Sequence, residues 1–120
     1  MKTYSILVVD DDQLSRKLLS EYLSTCNCVI DVANNGYAAA DLMNAKVYDV
    51  AFLDCSMPGM SGLELTKAIK AKNPKTVCVM VSGYELIDEN FAKMAGVDIF
   101  LCKPIALKSI ADIIAKIKEE

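Results

Sequence analysis

Asp10, Asp11 and Asp12 follow directly on the apolar run Ile6-Leu7-Val8-Val9, and Asp54 follows Val50-Ala51-Phe52-Leu53. Ser82 comes after Val77-Cys78-Val79-Met80-Val81, and Lys103 just after Val97-Asp98-Ile99-Phe100-Leu101. If strands one and three are neighbours, about 4.8 Å apart, Asp54 lies near Asp10 and Asp11. Three carboxylates about 4–5 Å apart repel by roughly 3–4 kcal/mol per pair at an effective dielectric of about 20. A single Lys offsets one charge, so either a carboxylate stays protonated or a divalent cation fills the site. An all-oxygen donor set selects Mg²⁺. A carboxylate, a cation, a hydroxyl and an ammonium at one point suit phosphoryl transfer. The ionised carboxylate is already a nucleophile, and the other groups hold the phosphoryl oxygens as charge develops.

Taken singly, each of these residues has a plainer reading. An Asp at a strand end is often a helix N-cap, and for Asp12 the two readings weigh evenly. Asp54 alone could be a turn residue, and Lys103 alone a solvated charge. The chain has no His, which removes serine-type triads and imidazole bases.

The elements that must position these groups are legible as five short β-branched runs alternating with helical patterns. Three runs are nearly continuously apolar, as central parallel strands are; the runs at 29–32 and 97–101 carry an Asp and read as edges. Leu14, Leu18, Leu19, Tyr22 and Leu23 form one helical stripe, and Ala38, Leu42 and Met43 a shorter one. Leu65, Ala68 and Ile69 follow Ser61, an N-cap with Glu64 in capping-box position. Ile110, Ile113, Ile114 and Ile117 give the last helix one buried face, and weaker periodicity predicts a helix over 85–95. Strict βα alternation implies right-handed crossovers with helices on both faces of a parallel sheet. The expected architecture is α/β, a flavodoxin-like (βα)5 doubly wound sandwich of strand order 2-1-3-4-5. Ligands of such sheets sit beyond the carboxyl ends of the strands, near the switch between strands one and three.

The composition narrows the function classes. With 120 residues, 53% of them hydrophobic, one domain with a real core is expected. A net charge of −3 is not a nucleic-acid footprint. No apolar run approaches the ~20 residues of a membrane span, and the apolar stretch near the start is too short for a signal-peptide core. A cytoplasmic location is the default. The five cysteines fall in apolar contexts and read as small interior hydrophobes. Cys26-x-Cys28 has neither a matching thiol pair nor a His to complete a zinc site.

Four segments in order carry a resemblance: Ile6-Leu7-Val8-Val9-Asp10-Asp11-Asp12, Asp54-x-x-Met57-Pro58-Gly59-Met60-x-Gly62, Val81-Ser82-Gly83 and Lys103-Pro104. Over essentially the whole chain, 1–120, this resembles the receiver domain of two-component response regulators, of the chemotaxis-regulator-like kind. The resemblance implies that Asp54 is the phosphoacceptor. Asp10 and Asp11 are then the acidic pair, with Asp11 a direct Mg²⁺ ligand and the Ser56 backbone carbonyl a further one. Ser82 matches the switch hydroxyl and Lys103 the lysine that bonds a phosphoryl oxygen. Phe100 stands at the position of an aromatic switch, though a strand-five core Phe is an equal reading. Ser56 and Tyr84 match positions that tune the lifetime of the acyl phosphate.

By the same resemblance the phosphate comes from a histidine kinase or a histidine phosphotransfer protein. The surface of the fourth helix, fifth strand and fifth helix then switches, and through it receivers can dimerise; the output partner is left open. The Asp54-Cys55-x-Met57-Pro58 wording looks more like receivers of hybrid kinases and phosphorelays. The expectation is a signalling switch that catalyses only its own phosphoryl transfer and slow dephosphorylation. The chain ends about one helix after Lys103, so it either acts alone by docking or is a piece of a longer protein.

Three other classes compete. A haloacid dehalogenase-type phosphatase needs a second Asp two residues beyond its nucleophile, where Asp54 is followed by Cys55 and Ser56. Asp10-x-Asp12 offers that pattern, but without a cap domain. A flavin-binding module of the same fold needs a phosphate-cradling loop after strand one, where this chain places three acids. A pseudo-receiver, binding partners without phosphorylation, sits poorly with a complete acidic set.

Overall fold

Along β1 (Tyr4–Val9) the residues Ile6 and Val8 belong to one core cluster and Leu7 and Val9 to another, because successive side chains of a strand leave opposite faces. The computed structural model describes residues 3–54, 57, 59–83, 93, 95–103 and 105–118. The other strands are β2 (Cys28–Ala33), β3 (Val50–Asp54), β4 (Val77–Ser82) and β5 (Ile99–Cys102). They pair in parallel in the order β2-β1-β3-β4-β5, with β2 and β5 at the edges. The helices among the described residues are α1 (Gln13–Ser24), α2 (Gly36–Ala45), α3 (Gly62–Lys72) and α4 (Leu107–Lys118). The helix expected over 85–95 falls almost wholly outside the described residues.

One face of the sheet packs Val8, Phe52, Val79 and Val81 against Leu19 and Leu23 of α1 and Ile110, Ile113 and Ile114 of α4. The other packs Leu7, Val9, Leu53 and Cys78 against Ala39 of α2 and Leu65 and Ile69 of α3. Central β3 is buried at every position, Asp54 included. This doubly wound sandwich matches the flavodoxin-like expectation, and the two Asp-bearing runs of the sequence supply the edge strands as their polarity suggested.

Both edge carboxylates have structural partners. Tyr48 Oη donates to Asp31 Oδ2 at 2.7 Å, with Lys46 Nζ at 3.3 Å from the same oxygen. The tyrosine hydrogen bond above all holds Asp31 below the usual carboxylate range and ties β2 to the segment before β3. Asp98 Oδ2 accepts from Cys78 N at 2.9 Å and from Lys70 Nζ at 2.6 Å. This side-chain clasp accompanies a strand shorter than predicted: β5 starts at Ile99 instead of Val97.

Two further expectations need correction. Within the α1 stripe only Leu19 and Leu23 are buried, while Leu14 and Leu18 are 62% and 58% exposed. They lie four residues apart on a helix flank that the sheet does not cover. Cys78 is fully buried, but Cys102 is exposed at the end of the edge strand, where no further strand covers it; Cys55 lies outside the described residues.

Candidate functional site

The β1–α1 turn is built by Asp12. Its carboxylate caps α1 by accepting from Ser15 N at 3.1 Å and from Ser15 Oγ at 2.6 Å, bonds that hold it below the usual carboxylate range. Asp12 is therefore spent on the helix, as an N-cap is. Asp10 Oδ1 accepts from Asp12 N at 2.9 Å, which fixes its carboxylate at the end of β1. Arg16 reaches back from α1, and its Nη1 donates to the Asp10 carbonyl at 2.7 Å. Neither type nor spacing marks Arg16 in the sequence, since nothing there separates it from Lys17. Only the turn geometry shows that it braces Asp10 without occupying the carboxylate oxygens.

Register brings the third acid in. Val9 pairs with Leu53, and Asp54 with Val81, so Asp54 ends β3 beside the residue after β1. One carboxylate oxygen from each of Asp10, Asp11 and Asp54 lies within 4.8 Å of the others. Asp10 and Asp54 are buried and Asp11 is exposed, an arrangement open to solvent on one side only. Among the described residues this is the cluster that could hold a metal ion. Its donor chemistry fits a hard divalent cation, all oxygen with no thiol or imidazole.

Lys103 follows β5, its N donating to the Ser82 carbonyl at 2.7 Å. A Cβ at Gly83 would lie 3.8 Å from Lys103 Cδ, so the lysine stem passes that residue at ordinary contact distance. Its Nζ ends 3.3 Å from Asp10 Oδ2 and 3.6 Å from Asp54 Oδ2, spanning the gap foreseen from the strand order. Burial acts to lower its pKa, but Asp54 and then Asp10 outweigh burial and hold it above the usual lysine value. Ser82 is buried at the end of β4, next to the partner of Asp54. Phe100 is half-buried and packs with Met80, Val97 and Leu63, the pairing expected of a core residue on the α3 side. Ser56 and Tyr84 lie outside the described residues.

A cavity of about 790 Å³ runs from this cluster between α1 and α4. Asp10, Asp54 and Lys103 stand at its polar end, and Leu18, Tyr22 and Leu107 are among its apolar walls. Leu107 and Leu18 are 59% and 58% exposed, so the cavity is flanked by two uncovered leucines.

A doubly wound parallel sheet with three acids and a lysine gathered at its carboxyl edge defines a class of α/β proteins whose site lies beyond the strand ends. Residues 6–115 match the response regulator receiver domain, and the chain belongs to that family. A cyclic di-GMP phosphodiesterase of Thermotoga maritima is 37% identical over 107 residues, 87% of this chain and 28% of that protein. Hybrid signal transduction histidine kinase L of Dictyostelium discoideum is 32% identical over 120 residues, 92% of this chain and 7% of that protein. The chain thus spans a minor part of both relatives. Among solved structures, the response regulator TrrA of Thermotoga maritima, in complex with Mg²⁺ and BeF, is 30% identical with a TM-score of 0.86. That match covers 96% of this chain and 99% of the other. A CheY-like receiver from Methanospirillum hungatei, at 23% identity and a TM-score of 0.91 over 98% of this chain and 96% of that one, shares the fold.

Proposed function

We propose that this receiver takes a phosphoryl group on Asp54 from a phosphohistidine of a histidine kinase or histidine phosphotransfer protein, in a reaction that requires Mg²⁺. The observation that carries the reading is the convergence of Asp10, Asp11 and Asp54 within 4.8 Å, with Lys103 at 3.3 and 3.6 Å from two of them. Asp10, Asp11, Asp54 and the Ser56 backbone carbonyl would hold the ion, which supplies charge neutralisation to carboxylates and phosphoryl oxygens alike. An Asp54 oxygen attacks phosphorus as the P–N bond to the partner's imidazole breaks, its electron pair returning to the nitrogen. The product is an acyl phosphate, and Lys103 and Ser82 bind its oxygens.

Movement of Ser82 toward that phosphate, with Phe100 following, would shift the balance between two states of the surface formed by residues 85–95, β5 and α4. Dimerisation or partner binding through that surface is the output, and Ser56 and Tyr84 tune how long the phosphate lasts. The exposed leucines Leu18 and Leu107 line the cavity that opens at Asp10 and Asp54, which suits docking of the donor protein on this side. No described helix is long and apolar enough to cross a membrane, and the net charge of −3 suits a protein partner over nucleic acid.

Incubation with acetyl phosphate and Mg²⁺, read by intact mass, tests this directly. Wild type gains one phosphoryl group, EDTA prevents it and Asp54→Ala gains none. Equal labelling of Asp54→Ala would sink the assignment.

A further inference from the structure

The cavity between α1 and α4 is larger than the acidic cluster at its end requires. Its volume of about 790 Å³ falls within the roughly 300–1,000 Å³ of small-molecule sites, far above the ~30 Å³ share of one water. Leu18 and Leu107, more than half exposed, stand at its mouth, while Phe52 and Val81 of the central strands, both buried, form its floor. A protein docked on this side covers the mouth, whereas the space itself runs inward to the sheet.

The two ends of this space differ in chemistry. Leu18 belongs to a helical stripe whose pattern calls for burial, yet the sheet buries only Leu19 and Leu23 of it. Leu18 instead borders space shared with Tyr22, Ile105 and Leu107, and an apolar body placed there would remove these side chains from water. At the other end Asp10, Asp11 and Asp54 converge within 4.8 Å. Lys103 meets two of them, Arg16 donates to the Asp10 carbonyl and not to its carboxylate, and Glu21 adds a further acid to the wall. A fatty anion would meet one ammonium already held by two acids. An ammonium head instead meets several carboxylates, as charge-assisted hydrogen bonds require. A hydrated metal ion alone would use the acids and leave the apolar walls in water.

We infer that this cavity binds a small amphiphile with a primary ammonium head and an aliphatic body. The head lies among the carboxylates of Asp10 and Asp54, and the body along Leu18, Tyr22 and Leu107. Charge selects the head and apolar contact holds the body, with no group transferred, so the site stands whether or not Asp54 accepts phosphate.

Isothermal titration of the whole chain in EDTA with butyl-, hexyl- and octylammonium, and with octanoate, tests this directly. Octylammonium binds one to one, affinity rises about fourfold per methylene, the scale of burying one CH₂, and octanoate binds at least about tenfold more weakly. Leu18→Ser weakens octylammonium about tenfold and flattens the dependence on chain length. Leu107→Ser attacks the opposite wall with the same result, and keeps the inference testable if Leu18→Ser does not fold, as melting curves show. Leu14→Ser alters a leucine 62% exposed on the same helix but outside the cavity wall, and binds as wild type. Asp10→Asn narrows the gap between octylammonium and octanoate while the dependence on chain length persists. No saturable binding of octylammonium overturns the inference, as does affinity independent of chain length, which marks ion pairing at the acids alone. Octanoate as tight as octylammonium, or folded Leu18→Ser and Leu107→Ser no weaker than Leu14→Ser, overturns it equally.

Discussion

Lys103 does not serve the three acids equally. Its ammonium lies 3.3 Å from Asp10 and 3.6 Å from Asp54, and these are the two acids that hold its pKa up. Asp11 is left with repulsion and with water. At an effective dielectric of about 20, each carboxylate pair repels by roughly 3–4 kcal/mol at this spacing, a figure that solvent around exposed Asp11 reduces strongly. Asp11→Asn should therefore raise stability in EDTA by about 1 kcal/mol, while the gain in stability on adding Mg²⁺ shrinks. Urea denaturation of both proteins, with EDTA and with Mg²⁺, checks both signs. A destabilised Asp11→Asn in EDTA would mean that repulsion is not what the cation relieves.

Three of the helices that leave the carboxyl edge start on a polar cap, and these caps set where their loops turn. Asp12 caps α1, Asn35 caps α2 and Ser61 caps α3. Ser61 Oγ accepts from Glu64 N at 3.2 Å and donates to Glu64 Oε1 at 3.3 Å. The cap foreseen from sequence is present, with the glutamate returning to the hydroxyl. Ser61→Ala should cost about 1 kcal/mol of folding stability, with Ser61→Asp recovering most of it, as read by chemical denaturation. Since α3 follows the loop that leaves Asp54, a loss far larger than that would show the cap to be holding the loop as well as the helix.

For the molecule as a whole, the two core layers differ from the edges in how far solvent reaches. Cys78 is fully buried in central β4, and burial pushes its thiol up to about 12, while Cys102 is exposed on edge strand β5. Iodoacetamide at neutral pH should modify Cys102 in the folded protein and reach Cys78 only when the sheet opens, at a rate that follows global stability. Peptide mass mapping across a urea series measures this. The folded state keeps the Cys78 proton beyond the ordinary thiol value of 9, so the unfolded state binds fewer protons above that pH. Stability from this group is complete below pH 9 and is lost as pH rises toward about 12. Early labelling of Cys78 in the native protein would mean that the layer over β4 opens locally.

What the sequence determined by itself is the part that local chemistry controls. Near-continuous apolar runs mark strands buried on both faces, an Asp within a run marks an edge, and Ser61 three residues before Glu64 marks a helix start. Strict βα alternation with right-handed crossovers then leaves few topologies, so the polar residues after each run had to meet at one edge. Tertiary structure alone decided how they divide. Asp12 is consecutive with Asp10 and Asp11, yet turn geometry spends it on Ser15 while register turns Asp10 toward Asp54. Leu14 and Leu18 share a helical stripe with Leu19 and Leu23, yet the sheet covers only one flank of it. Arg16 carries no mark in the sequence, because a brace on a backbone carbonyl depends on how the turn before α1 folds back on the end of β1, and residue type alone does not encode that.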